Sequence, residues 1–127
     1  MKHPLLPHAH DAQADLEPIV SGLHQAERFE TVAELFKQLG DTTRLRIFWL
    51  LCHTEQCVIN ISALMEMSSP AVSHHLRALR GCNLIVSRRE GKEVYYRAAD
   101  NLQTQLLHKT MERVLAIACP ERREGPA

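Results

Sequence analysis

The sequence predicts a mainly α-helical domain carrying one small β-hairpin, and two stretches carry that prediction. Residues from about 70 to 80 read as a helix: Val72, Leu76 and Leu79 form an apolar stripe at helical spacing, while Ser69, Ala71, Ser73, His74 and Arg77 lie on the opposite face. Directly after it, 84–86 and 94–96 are strand-like runs flanking Arg88, Arg89, Glu90, Gly91 and Lys92, a hairpin with a cationic tip. Small residues for close approach, hydroxyl and imidazole groups for base edges and a long cation suit a helix that enters a DNA major groove. A helix of that kind followed by a basic hairpin is the pattern of a winged helix-turn-helix, so the expected partner is double-stranded DNA.

The remaining elements follow in order. Residues 1–24 form a polar arm with His3, His8, His10 and His24, broken by Pro4, Pro7 and Pro18, and are expected to be mobile or partly helical. The domain proper is expected over 25–118. From about Gln25, the apolar positions Phe29, Val32, Leu35, Phe36 and Leu39 mark an amphipathic helix that ends at Gly40. Asp41 is placed to cap a second helix running through Leu45, Phe48, Trp49 and Cys52. A loop over 53–56 leads to a short helix near 59–65, then to a turn at Met67 and Ser68. Ser68 can cap the next helix, and Pro70 falls in its first turn, where a missing N–H costs nothing. A last helix over about 101–118 carries Leu102, Leu106, Met111, Val114 and Leu115, more apolar surface than one small domain needs to bury. That excess, with the one at 29–39, predicts a homodimer formed through the first and last helices. Residues 119–127 read as a polar tail.

Composition bounds the function. The 127 residues carry no net formal charge, but its distribution is uneven. Residues 68–97 hold Arg77, Arg80, Arg88, Arg89, Lys92 and Arg97 against Glu90 and Glu93. Residues 1–36 reverse the balance, with Lys2 and Arg28 against six acidic groups. A concentrated basic patch binds phosphate whatever the total, because charges beyond a Debye length of about 8–10 Å are screened. The first twenty residues lack the apolar run of a signal peptide, and the run over 47–52 is too short to span a bilayer, so a cytoplasmic protein is expected. Cys52, Cys57, Cys82 and Cys119 show no CxxC pair and are expected to be reduced thiols. No Gly-rich phosphate loop or nucleophile elbow is present, so an enzyme is not expected.

In this order of elements the chain resembles the ArsR/SmtB family of metal- and thiol-responsive bacterial repressors. The resemblance rests on 36–47 (FKQLGDTTRLRI), 55–58 (EQCV), 69–76 (SPAVSHHL) and 88–96 (RREGKEVYY). It implies an obligate homodimer that represses transcription until an inducer binds. The two-fold axis of such a dimer implies a palindromic operator with half-sites about 10–10.5 bp apart or a multiple of that. From the polar helix face and the hairpin, Ser69, Ala71, Ser73, His74 and Arg77 are expected to face DNA, with Ser73, His74 and Arg77 reading bases or adjacent phosphates and Arg88, Arg89 and Lys92 gripping the backbone.

The resemblance also implies a sensing site. A Cys at the position of Cys57 ligates metal in the family, together with a ligand two or three residues on and groups from the N-terminal arm. Here Ile59, Asn60 and Ser62 occupy the later positions, so the expected donors are Cys57 with His8, His10 and Asp11. One thiolate with imidazole and carboxylate groups is an ordinary tetrahedral set for zinc or another divalent metal. The family's pattern on the last helix begins at Asp100 but finds Leu102, Arg113 and Ala116, so that site is expected to be missing. His108 and Glu112 share a helix face out of that register and read as a solvated pair. Cys52 and Cys119, each about one turn beyond the positions of the family's thiol sensors, imply an alternative persulfide or oxidant switch. A DNA-binding module without a sensor is a further alternative.

Overall fold

The computed structural model describes residues 6–8 and 15–120. The elements are α1 (Glu17–Leu23), α2 (Ala26–Leu39), α3 (Thr42–His53), β1 (Gln56–Cys57), α4 (Val58–Met65), α5 (Ser69–Gly81), β2 (Ile85–Glu90), β3 (Glu93–Ala98) and α6 (Leu102–Ala118). The chain divides into two compact units between Lys37 and Gln38, inside α2.

In the first unit α1 takes up the end of the polar arm. It starts with Pro18 in its first turn, where the fixed φ of proline fits and no N–H is needed, and it buries no residue. α2 is amphipathic as its pattern requires, yet it too buries nothing: Phe29, Val32 and Phe36 stand exposed along one face.

The second unit contains the core. Ile47, Phe48 and Leu51 of α3 pack with Ile61 and Met65 of α4, Val72, Leu76 and Leu79 of α5, and Leu84, Ile85 and Ala99 at the base of the hairpin. α3, α5 and α6 each start at a side-chain cap. The Asp41 carboxylate accepts the Arg44 N–H at 2.9 Å, the Ser68 hydroxyl accepts the Ala71 N–H at 3.3 Å, and the Asn101 amide oxygen accepts the Thr104 N–H at 2.8 Å. α4 stops at Glu66, whose left-handed backbone (φ 54°) reverses the chain into the turn before α5.

The hairpin pairs Ile85 with Ala98 through to Glu90 with Glu93, leaving Gly91 and Lys92 as a two-residue connection. Within that connection the positive φ falls at Gly91 (61°), the first of the two, which is the pattern of a type II′ turn and matches the twist of the flanking strands. The pattern of residues predicts a loop over 53–56. Gln56 and Cys57 instead form β1, pairing with Tyr96 and Tyr95 to give a three-stranded antiparallel sheet in the order β1-β3-β2. Two residues are too few to show alternation; the strand exists because β3 offers an edge.

Candidate nucleic-acid interface

α5 shows two faces. Val72, Leu76 and Leu79 are buried, which fixes the rotation of the helix and sends His74 and Arg77 out to solvent, with Ala71 and Ser73 half-buried beside them. Ser69 is half-buried at the start of α5; its hydroxyl lies 3.4 Å from that of Ser62, which in turn donates to the Met67 carbonyl across the connection between α4 and α5. Arg77 and Arg80 line a shallow groove with Ser73 and Tyr96, where α5 meets β3. Small side chains near the N-terminus of α5 and cations along its length form the surface a groove-entering helix needs.

α5 is braced from behind by Arg44 of α3. The Arg44 Nε–H donates to His75 Nδ1 at 3.2 Å, and its guanidinium also donates to the Gln38 side chain. Partial burial, the dominant cause, holds the His75 pKa below its ordinary value of 6.5, against a smaller opposing pull from Asp41. A neutral His75 is what the geometry requires, since Nδ1 must accept.

In the hairpin the structure separates cations that the sequence grouped together. Arg89 and Lys92 are exposed at the tip and make no ion pair among the described residues. Arg88, expected to grip the DNA backbone, is engaged within the chain. It binds the Glu55 carboxylate at 2.6 and 2.9 Å, Glu90 at 2.6 Å, and lies 4.8 Å from the centre of the Tyr95 ring. A guanidinium forks onto a carboxylate through parallel N–H bonds, so Glu55 beside β1 captures it. The same bonds hold the Glu55 carboxyl below the usual carboxylate range. Arg88 is thus a strut between the hairpin and the segment before β1.

Of the expected sensing residues, Cys57 is buried, 7% exposed, at the N-cap of α4, and its side chain makes no capping bond. His8 is exposed and belongs to the first unit, whereas Cys57 belongs to the second. His10 and Asp11 lie outside the described residues, as does His3. Cys52 is half-buried; burial first, then the negative charge of Glu112, push its thiol up to about 11. Cys119 is exposed and ends α6.

A constellation that local pattern did not single out stands beside Cys52. His108 and Glu112 on α6, expected to be a solvated pair, converge with His53 at the end of α3. His53 Nε2 lies 3.1 Å from Glu112 Oε1, His108 Nε2 lies 3.2 Å from the same oxygen, and the two imidazole nitrogens are 3.3 Å apart. The Trp49 indole N–H donates to that oxygen as well, at 2.8 Å. These bonds, with the His53 and Trp49 contributions largest, keep the Glu112 carboxyl below its usual range. The i, i+4 spacing of 108 and 112 was the visible half of the signal; the partner 55 residues earlier left no trace in local pattern. Among the described residues, these three are the ones whose donor atoms gather as a metal would need.

Comparison with known proteins agrees with this architecture. The family model described as "Bacterial regulatory protein, arsR family" matches residues 41–87. The chain is 44% identical over 86 residues to a transcriptional repressor SmtB homolog of Synechocystis sp., covering 68% of this chain and 63% of that one. It is 40% identical over 79 residues to a cadmium resistance transcriptional regulatory protein, a CadC homolog of Staphylococcus aureus, covering 61% and 65%. The chain therefore spans just under two thirds of the length of these two relatives. With the HTH-type transcriptional regulator CmtR of Mycobacterium bovis it shares 35% identity over 94 residues, 71% of this chain and 76% of the other. Among solved structures, a homodimeric winged helix-turn-helix DNA-binding domain of a possible ArsR-family regulator from M. bovis superposes with a TM-score of 0.65 at 28% identity, covering 93% of this chain and all of that fragment.

Proposed function

Because the chain belongs to the ArsR/SmtB family of bacterial regulatory proteins, we propose that it is a dimeric, metal-responsive transcriptional repressor that holds a palindromic operator and releases it when zinc, cadmium or a similar metal binds. The observation that carries DNA binding is the outer face of α5, with His74 and Arg77 exposed, followed by a hairpin with Arg89 and Lys92 exposed at its tip. Ser73, His74 and Arg77 read base edges or adjacent phosphates, and Arg89 and Lys92 grip the backbone. Two copies are needed because α2 and α6 leave their apolar faces in water, and the homodimeric M. bovis neighbour supports that assembly.

Metal control is supported by the cadmium-resistance and SmtB-type relatives. The donors on offer are Cys57 with His8, His10 and Asp11, a thiolate, imidazoles and a carboxylate whose chemistry suits zinc and cadmium. Allosteric coupling is typically 1–3 kcal/mol per site, so metal should weaken operator binding about 5–150-fold, and DNA should weaken metal binding by the same factor. Gel-shift titration of the DNA upstream of the protein's own gene, with and without zinc or cadmium, tests the reading. Deleting 1–14, or Cys57→Ser, should leave DNA binding intact and abolish the metal effect. Release of DNA by metal in both variants as in the parent would rule the Cys57 site out. The thiol-switch alternative through Cys52 and Cys119 is disfavoured by the raised Cys52 pKa, since the thiolate is the reactive form.

A further inference from the structure

We propose that His53, His108 and Glu112 form a second, intrachain binding site for a zinc-class divalent cation, distinct from the donors around Cys57. Three ligand bonds of about 2.0–2.1 Å at tetrahedral angles place their donor atoms about 3.3–3.4 Å apart. His53 Nε2, His108 Nε2 and Glu112 Oε1 already form a triangle with sides of 3.1, 3.2 and 3.3 Å. A cation entering above that triangle meets three vertices of its coordination shell with little movement.

Hydrogen bonding alone does not account for the cluster. Glu112 Oε1 has two lone-pair sites, and three N–H-bearing rings crowd it: Trp49, His53 and His108. If both imidazoles direct protons at the oxygen, it is oversubscribed and the two N–H groups face each other at 3.3 Å. A metal ion resolves the conflict. Trp49 keeps one lone pair of Oε1, the ion takes the other, and both imidazoles turn bare nitrogens toward the cation. The Trp49 bond then orients the carboxylate, as hydrogen bonds to metal ligands commonly do. Two imidazoles and one carboxylate without sulfur favour zinc, cobalt or nickel over soft thiophilic metals. The three side chains are 44%, 29% and 43% exposed, which leaves water access to a fourth position and makes the ion exchangeable.

The site joins α6 to the last residue of α3, from which the chain runs through Glu55 into β1, the strand that pairs with β3 of the hairpin. A bound ion would fix the last helix to the segment that positions the DNA-binding elements. Its donors are independent of Cys57 and of the last-helix positions 102, 113 and 116, and they come from one chain, so the site does not require a partner subunit.

Cobalt(II) titration of the full-length Cys57→Ser protein, without DNA, tests this. The expected result is one tightly bound cobalt per chain with the strong visible absorption of a four-coordinate ion, no thiolate charge-transfer band, and quenching of Trp49, the sole tryptophan. His108→Ala and Glu112→Gln, each checked for unchanged helical circular dichroism, should lower cobalt affinity at least ten-fold. Adding His53→Cys to Cys57→Ser should make a thiolate band appear, a gained signal that a folding defect cannot imitate. Failure of the Cys57→Ser protein to bind cobalt, a thiolate band in that protein, or unchanged titration by the His108 and Glu112 variants would overturn the site. Operator release is not part of this assay, so loss of the repressor reading and loss of this site are separate results.

Discussion

Arg44 and His75 hold α5 in place through a hydrogen bond that depends on protonation. His75 must be neutral at Nδ1 to accept from Arg44, and its folded-state pKa lies below 6.5. The unfolded chain therefore binds the proton more readily. The contribution to stability is complete above about pH 6.5 and is lost as pH falls through the lowered folded-state value. Thermal unfolding as a function of pH should show a decline beginning just below 6.5, and His75→Gln should flatten it; an unchanged decline would place its origin elsewhere. Ser68 gives a simpler case. Its hydroxyl satisfies one otherwise open N–H of α5, so Ser68→Ala should cost about 1 kcal/mol in denaturant unfolding. Thr104 is the converse: its hydroxyl is buried with no partner among the described residues, so Thr104→Val should be neutral or stabilising by up to about 1 kcal/mol.

At the scale of elements, the hairpin separates two kinds of cation. Arg89→Ala and Lys92→Ala should weaken binding to all DNA sequences and reduce the salt dependence by about one unit for each phosphate no longer neutralised. Arg88→Ala should act differently, lowering thermal stability through the loss of its bonds to Glu55 while leaving that slope unchanged. Arg77→Ala should cost about 1–3 kcal/mol on the operator and much less on random DNA if it makes a bidentate base contact. The sequence foretold α5 and the hairpin because both are written in local terms: a stripe at 72, 76 and 79, a Ser cap, and a glycine where φ must be positive. What it hid depends on distant chain segments meeting. β1 exists through Tyr95 and Tyr96, Arg88 turns inward because Glu55 lies 33 residues away, and His53 reaches α6 only once α3 and α6 have packed. Type and spacing of residues could flag His108 and Glu112 as a pair, but no periodicity could supply the third member.

For the whole molecule, the distribution of apolar surface decides the assembly. α6 buries only Thr104 among its seventeen residues, while Leu102 and Ile117 are 84% and 82% exposed and Leu106, Val114 and Leu115 stand open as well. α2 presents Phe29, Val32 and Phe36 in the same way. So much apolar helix surface is costly in water, at roughly 25 cal/mol for each Å² left exposed, and a second copy can cover it without any new kind of partner. A two-fold dimer would also carry two α5 helices, and readers of a palindrome must stand about 34–36 Å apart, one turn of B-DNA. Leu106→Glu tests the assembly apart from the fold, because Leu106 contributes nothing to the buried core of its own chain. The variant should keep its helical circular dichroism, sediment as a monomer, and bind the intact operator no better than an isolated half-site. A parent protein that sediments as a monomer, or a Leu106→Glu protein that remains dimeric with full operator affinity, would show that α6 is not the dimer interface.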